Sequence, residues 1–586
     1  METSLKDKQA AKTTPTTDQP KTLTVSQALA KLLRAYGAEY IFTLTGAPQD
    51  PLIQCHNHEG VKVVLARSER SAFAMADAYA RMTGKPTFGI VQYGPGATYL
   101  PSCLIDAYWA SSPLIALSGT TNTNTRYRYE YQEVEQTSMF PAMTKWAGQL
   151  PQPDRIADVL RTVVRAAVSG VPGPAYLGIP ADWFNRPLAA APDLYAESSF
   201  LKAPALRVAP LTQDVQRAIK LLATAEKPVL IAGGGVMLSE AWPELTALAE
   251  TLNTPVVTTL AGKGSIADTH HLSVGAAGRY SRKVANEVLG AADMCLAIGT
   301  RLSSMGTDVF KIPRKGTRII HVDLDAGTLG RTYREDLSMV ADAQVALTML
   351  REAARAARLD GSRWAAWTKQ VQGQVGAWVR DLEQVSREPM HEGRLNPYHV
   401  MRLLDQHMTG EDVIVADTGY MAVWATTVLQ QKKAGRNTLR AAGSLGWAFP
   451  AAFGAKLAVG AGRRVFGLTG DGGIGYHLAD LETALRLKIP VIQIVMNNCS
   501  LAFEYHVQKF VHGEMCPEAS EFLDVPFADV ARAFGAYGER VTAGDQLIPA
   551  LRRAEESGKP AIIDVAVSRE LPPPVTRYAA AGLRKI

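Results

Sequence analysis

Short apolar runs bounded by glycine or proline recur along this chain, each separated from the next by a segment of helical spacing. Runs of that kind are strands buried on both faces. Their alternation with helices specifies parallel sheets covered on either side. Three such blocks are legible. The first opens with TVSQALAKLLRAYG, whose apolar residues recur at three- and four-residue intervals, and ends with GPAYLGIP near Pro180. The second holds PVLIAGGGV, PVVTTLAG, MCLAIGTRL and RIIHVDLD. The third holds VIVADTG, RVFGLTGDGG, VIQIVMNN and AIIDVAV. The expected fold class is α/β, with three doubly wound parallel-sheet domains.

The 586 residues suit that count, at roughly 100–200 residues per domain. Residues 1–24 read as a polar, disordered tail, and 25–188, 209–356 and 393–568 as the three domains. The Ala/Pro-rich stretch 188–208 is a linker. A charged, Gln-rich stretch at 357–392 is expected to be helical, and 569–586 is a proline-punctuated tail or lid with Arg577, Arg584 and Lys585.

Charge and cysteine usage exclude several functions. Sixty-two basic against 56 acidic side chains leave a net +6, too diffuse for a nucleic-acid or membrane-surface partner. The five cysteines fall in no CxxC or Cys/His cluster, which argues against a zinc site or disulfide framework and for a reducing compartment. The N-terminal segment lacks the apolar core of a signal peptide. The weakly charged stretch Ala441–Ala455 is too short and too broken to span a bilayer. A cytoplasmic protein is expected.

The most informative stretch is RVFGLTGDGGIGYHLADLETALRLKIPVIQIVMNN, read as strand, Gly-rich turn, helix, strand, then Asn497-Asn498. Gly470, Gly472 and Gly473 would let backbone N–H groups approach an anion. Asp471 and Asn498, each at the end of a strand, would offer hard oxygen ligands to Mg2+. That combination suits a divalent ion clamping a diphosphate. GDGG alone would be no more than a strand-to-helix turn.

With the paired asparagines at that separation, the arrangement resembles the thiamine diphosphate signature, and the chain from about 25 to 568 is similar to the acetolactate synthase, pyruvate oxidase and 2-hydroxyacyl-CoA lyase family. The resemblance implies thiamine diphosphate and Mg2+ as cofactors, with Asp471, the Asn498 side chain and the Ser500 carbonyl on the metal. Glu69, in VKVVLARSERSAFAMADAYARMTG, stands where the family has the glutamate facing the aminopyrimidine. A positioned group of that kind contributes about 10²–10⁴-fold. Gln132, in YRYEYQEVEQ, matches the family's active-site glutamine. Thr418, Gly419, Tyr420 and Met421 would line the diphosphate and pyrimidine. In AAGSLGWAFPAAFGAK, the Gly443 carbonyl would accept from the cofactor's amino group, and Leu445 would be the wedge that bends it. The resemblance also implies a homodimer or homotetramer in which Glu69 of one subunit meets Asp471 of another.

The second chemical step varies among relatives. The first-domain loop VQYGPGATYL lacks the histidine pair of pyruvate decarboxylases, and LTGAPQD departs from the synthases' glycine-rich pattern. Glu504, six residues past Asn498, occupies a place that is apolar in acetolactate synthases and a proton-relaying glutamate in decarboxylases. Buried beside a cationic cofactor, such a carboxyl would be held nearer neutrality and could shuttle a proton. The reading is then a carbon–carbon lyase acting on a 2-hydroxyacyl-CoA or a 2-oxo acid through a protonated enamine. Acetolactate synthase-like carboligation is the alternative, followed by flavin-linked oxidation and cyclic-dione hydrolysis. AGGGV (Ala232–Val236), Arg301, Asp323 and Asp325 leave open whether the central domain binds FAD, ADP or nothing.

Overall fold

The computed structural model describes residues 22–46 and 48–575. Three six-stranded sheets succeed one another along the chain, every pairing in them parallel. The first contains β1 (Tyr40–Thr43), β2 (Lys62–Leu65), β3 (Thr87–Val91), β4 (Leu114–Thr120), β5 (Trp146–Gln149) and β6 (Ala175–Pro180), in the order β2-β1-β3-β4-β6-β5. The second contains β7 (Pro228–Ala232), β8 (Val256–Thr258), β9 (Ser273–Ala276), β10 (Met294–Ile298), β11 (Arg318–Asp323) and β12 (Leu337–Val340), ordered β12-β11-β10-β7-β8-β9. A small antiparallel hairpin, β13 (Met390–His391) with β14 (Arg394–Leu395), precedes the third sheet. That sheet contains β15 (Val413–Ala416), β16 (Thr438–Arg440), β17 (Val465–Gly470), β18 (Ile492–Asn497), β19 (Tyr537–Val541) and β20 (Ala561–Ala566), ordered β16-β15-β17-β18-β20-β19.

The first and third sheets thus share one strand order, and each reverses direction between its first and third strands. Ligands of open α/β sheets bind outside the carboxyl ends of the strands at such a switch point. β3, β4, β6, β15 and β18 are buried along their whole length, as runs covered on both faces must be. The Gln-rich connection forms the long helix Ala365–Arg387.

One apolar cluster is common to the first and third domains. Phe73, Met75 and Tyr79 of the Glu69–Thr83 helix join Phe449, Ala452 and Phe453 of the Ala448–Val459 helix. Sandwiched between domains, the Ala448–Val459 helix is buried on nearly every face, which accounts for its almost uncharged sequence. Among the described residues no helix is long and apolar enough to cross a membrane.

Candidate active site

Three loops at the carboxyl ends of β2, β3 and β4 converge in the first domain. Ser68 caps the helix that Glu69 begins, its hydroxyl accepting from the Ser71 amide at 3.1 Å. Glu69 is buried, and burial raises its carboxyl pKa above the ordinary range. A Cβ on Gly96 would lie 3.1 Å from Glu69 Oε1 and 3.0 Å from the Gln92 Cβ, so the glutamate and Gln92 flank one spot. Gln92 Nε2 donates to Gln132 Oε1 at 2.7 Å. Glu69 and Gln132 are therefore in one cluster, joined by Gln92, a residue passed over in the sequence. Its position immediately after β3 was the available signal. Gln136 fastens the same loop, its Nε2 donating to the Gly119 carbonyl at 2.8 Å while its Oε1 accepts from Gly94 N–H at 2.9 Å.

The third domain supplies the second cluster, at the ends of β15 to β18. Asp471 is buried and accepts from the amides of Gly472 and Ser500, each at 3.0 Å. Desolvation nonetheless pushes its carboxyl up to about 6. Asn498 Oδ1 is buried and has no hydrogen-bond partner among the described residues. Its neighbour Asn497 is different, with its amide donating to Asp564 Oδ1 at 3.0 Å and to the Val525 carbonyl at 3.1 Å. A buried carbonyl-type oxygen without a donor, beside a buried carboxylate, is the donor set that a hard divalent cation would complete. Gly470 and Gly443 face open space, with nothing near where a side chain would start. The residues present therefore fit Mg2+ with a diphosphate. The helix expected after GDGG is broken into pieces, Asp471–Ile474 and Leu481–Arg486 with a 3-10 turn between. Glycines at 472, 473 and 475 deprive the first turn of helical stability.

Asp417 ties these elements together and was not singled out in the sequence. It is wholly buried at the end of β15, where its carboxylate accepts from Thr418 N–H at 2.9 Å, Gly446 N–H at 2.9 Å and the Thr469 hydroxyl at 3.2 Å. Burial pushes it to about 6. Thr418 and Gly419 follow it into the Tyr420–Val423 helix, and Met421 is buried. The Tyr420 hydroxyl meets His506 Nδ1 at 2.6 Å, and burial lowers that imidazole to about 4, so it is neutral. Leu445 is half-buried and Gly443 exposed on the loop after β16.

Glu504 departs from expectation. It lies in the first turn of the Ala502–Val507 helix and is exposed, because Tyr505 and His506 take the inward face. The burial that the proton-shuttle argument needed is not supplied by this chain. In the central domain, Gly235 N–H bonds the Gly299 carbonyl at 2.9 Å, so the AGGG turn closes on the loop after β10. Arg301 reaches into the first domain, to the Trp109 carbonyl at 3.3 Å and Ser111 Oγ at 3.2 Å. Asp323 accepts from Asp325 N–H at 2.9 Å, and Asp325 in turn caps Gly327. Arg577, Arg584 and Lys585, like residues 1–21, lie outside the described residues.

Three family profiles match in chain order. They are the thiamine pyrophosphate enzyme N-terminal TPP binding domain at residues 23–139, the central domain at 215–350 and the C-terminal TPP binding domain at 417–565. The chain is 30% identical over 595 residues to the sulfoacetaldehyde acetyltransferase of Castellaniella defragrans, covering 95% of each protein. It is 29% identical over 547 residues to a protein of Methanocaldococcus jannaschii named probable acetolactate synthase large subunit, covering 92% of this chain and 91% of the relative. The acetolactate synthase of Mycobacterium bovis is 29% identical over 567 residues, with 94% and 88% covered.

Proposed function

The chain belongs to the thiamine pyrophosphate enzyme family, and on that premise we propose that it is a thiamine diphosphate- and Mg2+-dependent carboligase. In this reading it cleaves a carbon–carbon bond beside a carbonyl and passes the two-carbon unit to an acceptor. The observation that carries the cofactor assignment is the buried Asn498 Oδ1 beside Asp471, without a hydrogen-bond partner among the described residues. Asp471, Asn498 and the Ser500 carbonyl would hold the metal, and the Gly470–Gly473 turn the diphosphate. When bound, thiamine diphosphate supplies a carbon nucleophile and an electron sink for C–C cleavage. Glu69, already biased toward its protonated form by burial, holds a proton at the aminopyrimidine. Gln132, fixed by Gln92, orients the substrate, and Thr418 to Met421 with Leu445 set the cofactor's attitude.

Transfer is preferred to protonation because Glu504 is exposed, so the chain offers no desolvated acid there. The relatives named for acetolactate synthesis and for acetyl transfer support the same choice. Lyase action on a 2-hydroxyacyl-CoA or a 2-oxo acid is the second reading, favoured by the closeness of Glu504 in sequence to Asn498. The central domain is read as structural rather than as a site for FAD or ADP, since its glycine turn is closed by Gly299. A homodimer or homotetramer with inter-subunit sites is part of the proposal. Tyr127, Tyr129 and Tyr131, strongly exposed beside Gln132, give such an interface its apolar surface. The cytoplasm is the proposed compartment, supported by five cysteines without a disulfide among them.

The test is to supply holoenzyme with a panel of 2-oxo acids and 2-hydroxyacyl-CoAs, with and without aldehyde or 2-oxo acid acceptors, and to identify products by mass. A ligated product whose yield is unchanged in E504Q supports carboligation. A free aldehyde as sole product, abolished in E504Q, establishes the lyase reading instead.

A further inference from the structure

The loop after β16, Ala441–Gly446, is held from the first domain of the same chain. Asp106 lies on the Pro101–Trp109 helix and is buried at 1% exposure. Its Oδ1 accepts from Ala442 N–H at 2.5 Å and from Gly443 N–H at 3.1 Å, across 336 and 337 residues of sequence. Its Oδ2 is buried and has no hydrogen-bond partner among the described residues. The surrounding charges serve the same segment. Arg81 donates to the Arg440 carbonyl at 2.8 Å and to the Asp106 carbonyl at 3.2 Å, while its guanidinium lies 4.5 Å from the centre of the Trp447 ring. Asp77, paired with Arg81, accepts from Trp447 Nε1 at 3.1 Å. Arg440 donates to the Ala441 carbonyl at 2.9 Å. Two acids and two arginines thus form a neutral group whose bonds run to residues 440–443 and 447.

We propose that Asp106 is a positioning residue that sets how the Ala441–Gly446 loop presents the Gly443 carbonyl and the Leu445 side chain to thiamine diphosphate; this rests on the cofactor reading given above. Peptide units are planar, so fixing the amides of Ala442 and Gly443 fixes two consecutive planes. At the far end Asp417 holds the Gly446 amide. Between the anchored Gly443 and Gly446 amides lie only Ser444 and Leu445, and the Ser444 hydroxyl donates to the first domain's Ser102 carbonyl at 3.2 Å. A carboxylate with one oxygen buried and unpaired is a poor device for stability alone, because its desolvation is only partly offset. Its placement makes sense as a mount. In the proposed oligomer the first domain therefore serves two sites, the partner subunit's through Glu69 and its own chain's through the loop that Asp106 carries.

Amide hydrogen exchange on the cofactor-free full chain, with calorimetric titration of thiamine diphosphate in Mg2+, tests this. In D106L the segment 441–446 exchanges at least about tenfold faster, and cofactor affinity and kcat each fall about 10- to 100-fold, as for groups that orient a ligand-bearing element. D106N keeps an oxygen for both amides and restores exchange and affinity to within a few-fold of wild type. Should D106L not fold, the wild-type chain carries its own test. The Ala442 and Gly443 amides exchange slowly despite the exposure of Gly443, and fast exchange at both overturns the proposal. Unchanged exchange in D106L, or a D106N as impaired as D106L, with normal wild-type cofactor binding, overturns this proposal alone. A wild-type chain that does not bind thiamine diphosphate overturns the cofactor reading and this proposal with it.

Discussion

Asp417 and Gly473 touch across the switch point of the third sheet, so closely that any Cβ on Gly473 would overlap the Asp417 carboxylate. The same carboxylate accepts from Gly446 and Thr469, so one buried aspartate ties the Gly470–Gly473 turn to the Ala441–Gly446 loop. Substituting Gly473 by alanine is expected to cost about 1–3 kcal/mol of stability by overpacking. Thiamine diphosphate binding should suffer as well. Gly462, on the exposed turn before β17 with nothing near where a side chain would start, is the control. Thermal melts and cofactor titrations of the two alanine variants should separate clearly, and equal effects would disprove the contact's importance.

Removing the Asn498 side chain should leave metal-free stability unchanged, because its oxygen has no hydrogen bond to lose among the described residues. The Mg2+ requirement should rise about 10- to 100-fold. Melting curves of Asn498→Ala with and without EDTA check both halves.

With Asp471 as a ligand, metal binding should be pH-dependent. Its folded-state pKa of about 6 lies above the unfolded value, so below about pH 6 a proton competes with Mg2+. Apparent Mg2+ affinity should fall as pH drops from 7 to 5, by close to tenfold per unit at the acid end. A flat profile would show that the carboxylate is not a ligand.

Buried His477 and His506 are both lowered to about 4. An unfolded chain binds more protons than the folded one between that value and about 6.5, so their contribution to stability is lost as pH falls through this window. Asp417 and Asp471, raised to about 6, act in the opposite sense. The wild-type curve should therefore be shallow between pH 6 and 4. His477→Asn, which keeps a polar partner for Ser71, should make the variant relatively more stable at pH 4.5 than at pH 7 when compared with wild type.

Glu69→Gln should preserve cofactor affinity within a few-fold while turnover falls about 10²-fold or more. A variant that loses binding and turnover in parallel would assign Glu69 to holding the cofactor rather than to proton chemistry.

The sequence by itself determined the three parallel sheets, because buried strands and amphipathic helices announce themselves locally. It also marked Asp471 and Asn498, each at the end of a strand, as candidate ligands of a metal. The family followed from those residues together with Glu69. Asp417 and Asp106 could not be found that way. An aspartate at a strand end or inside a helix looks ordinary until the amides it holds, 29 residues on for Asp417 and 336 for Asp106, come into view. The exposure of Glu504 was out of reach for the related reason that one helical step separates an inward from an outward face, and only the packing of Tyr505 and His506 fixed which. Residue type is a local property, whereas burial and hydrogen-bond partners are made by the meeting of distant segments, and that meeting decided which acids hold the site together.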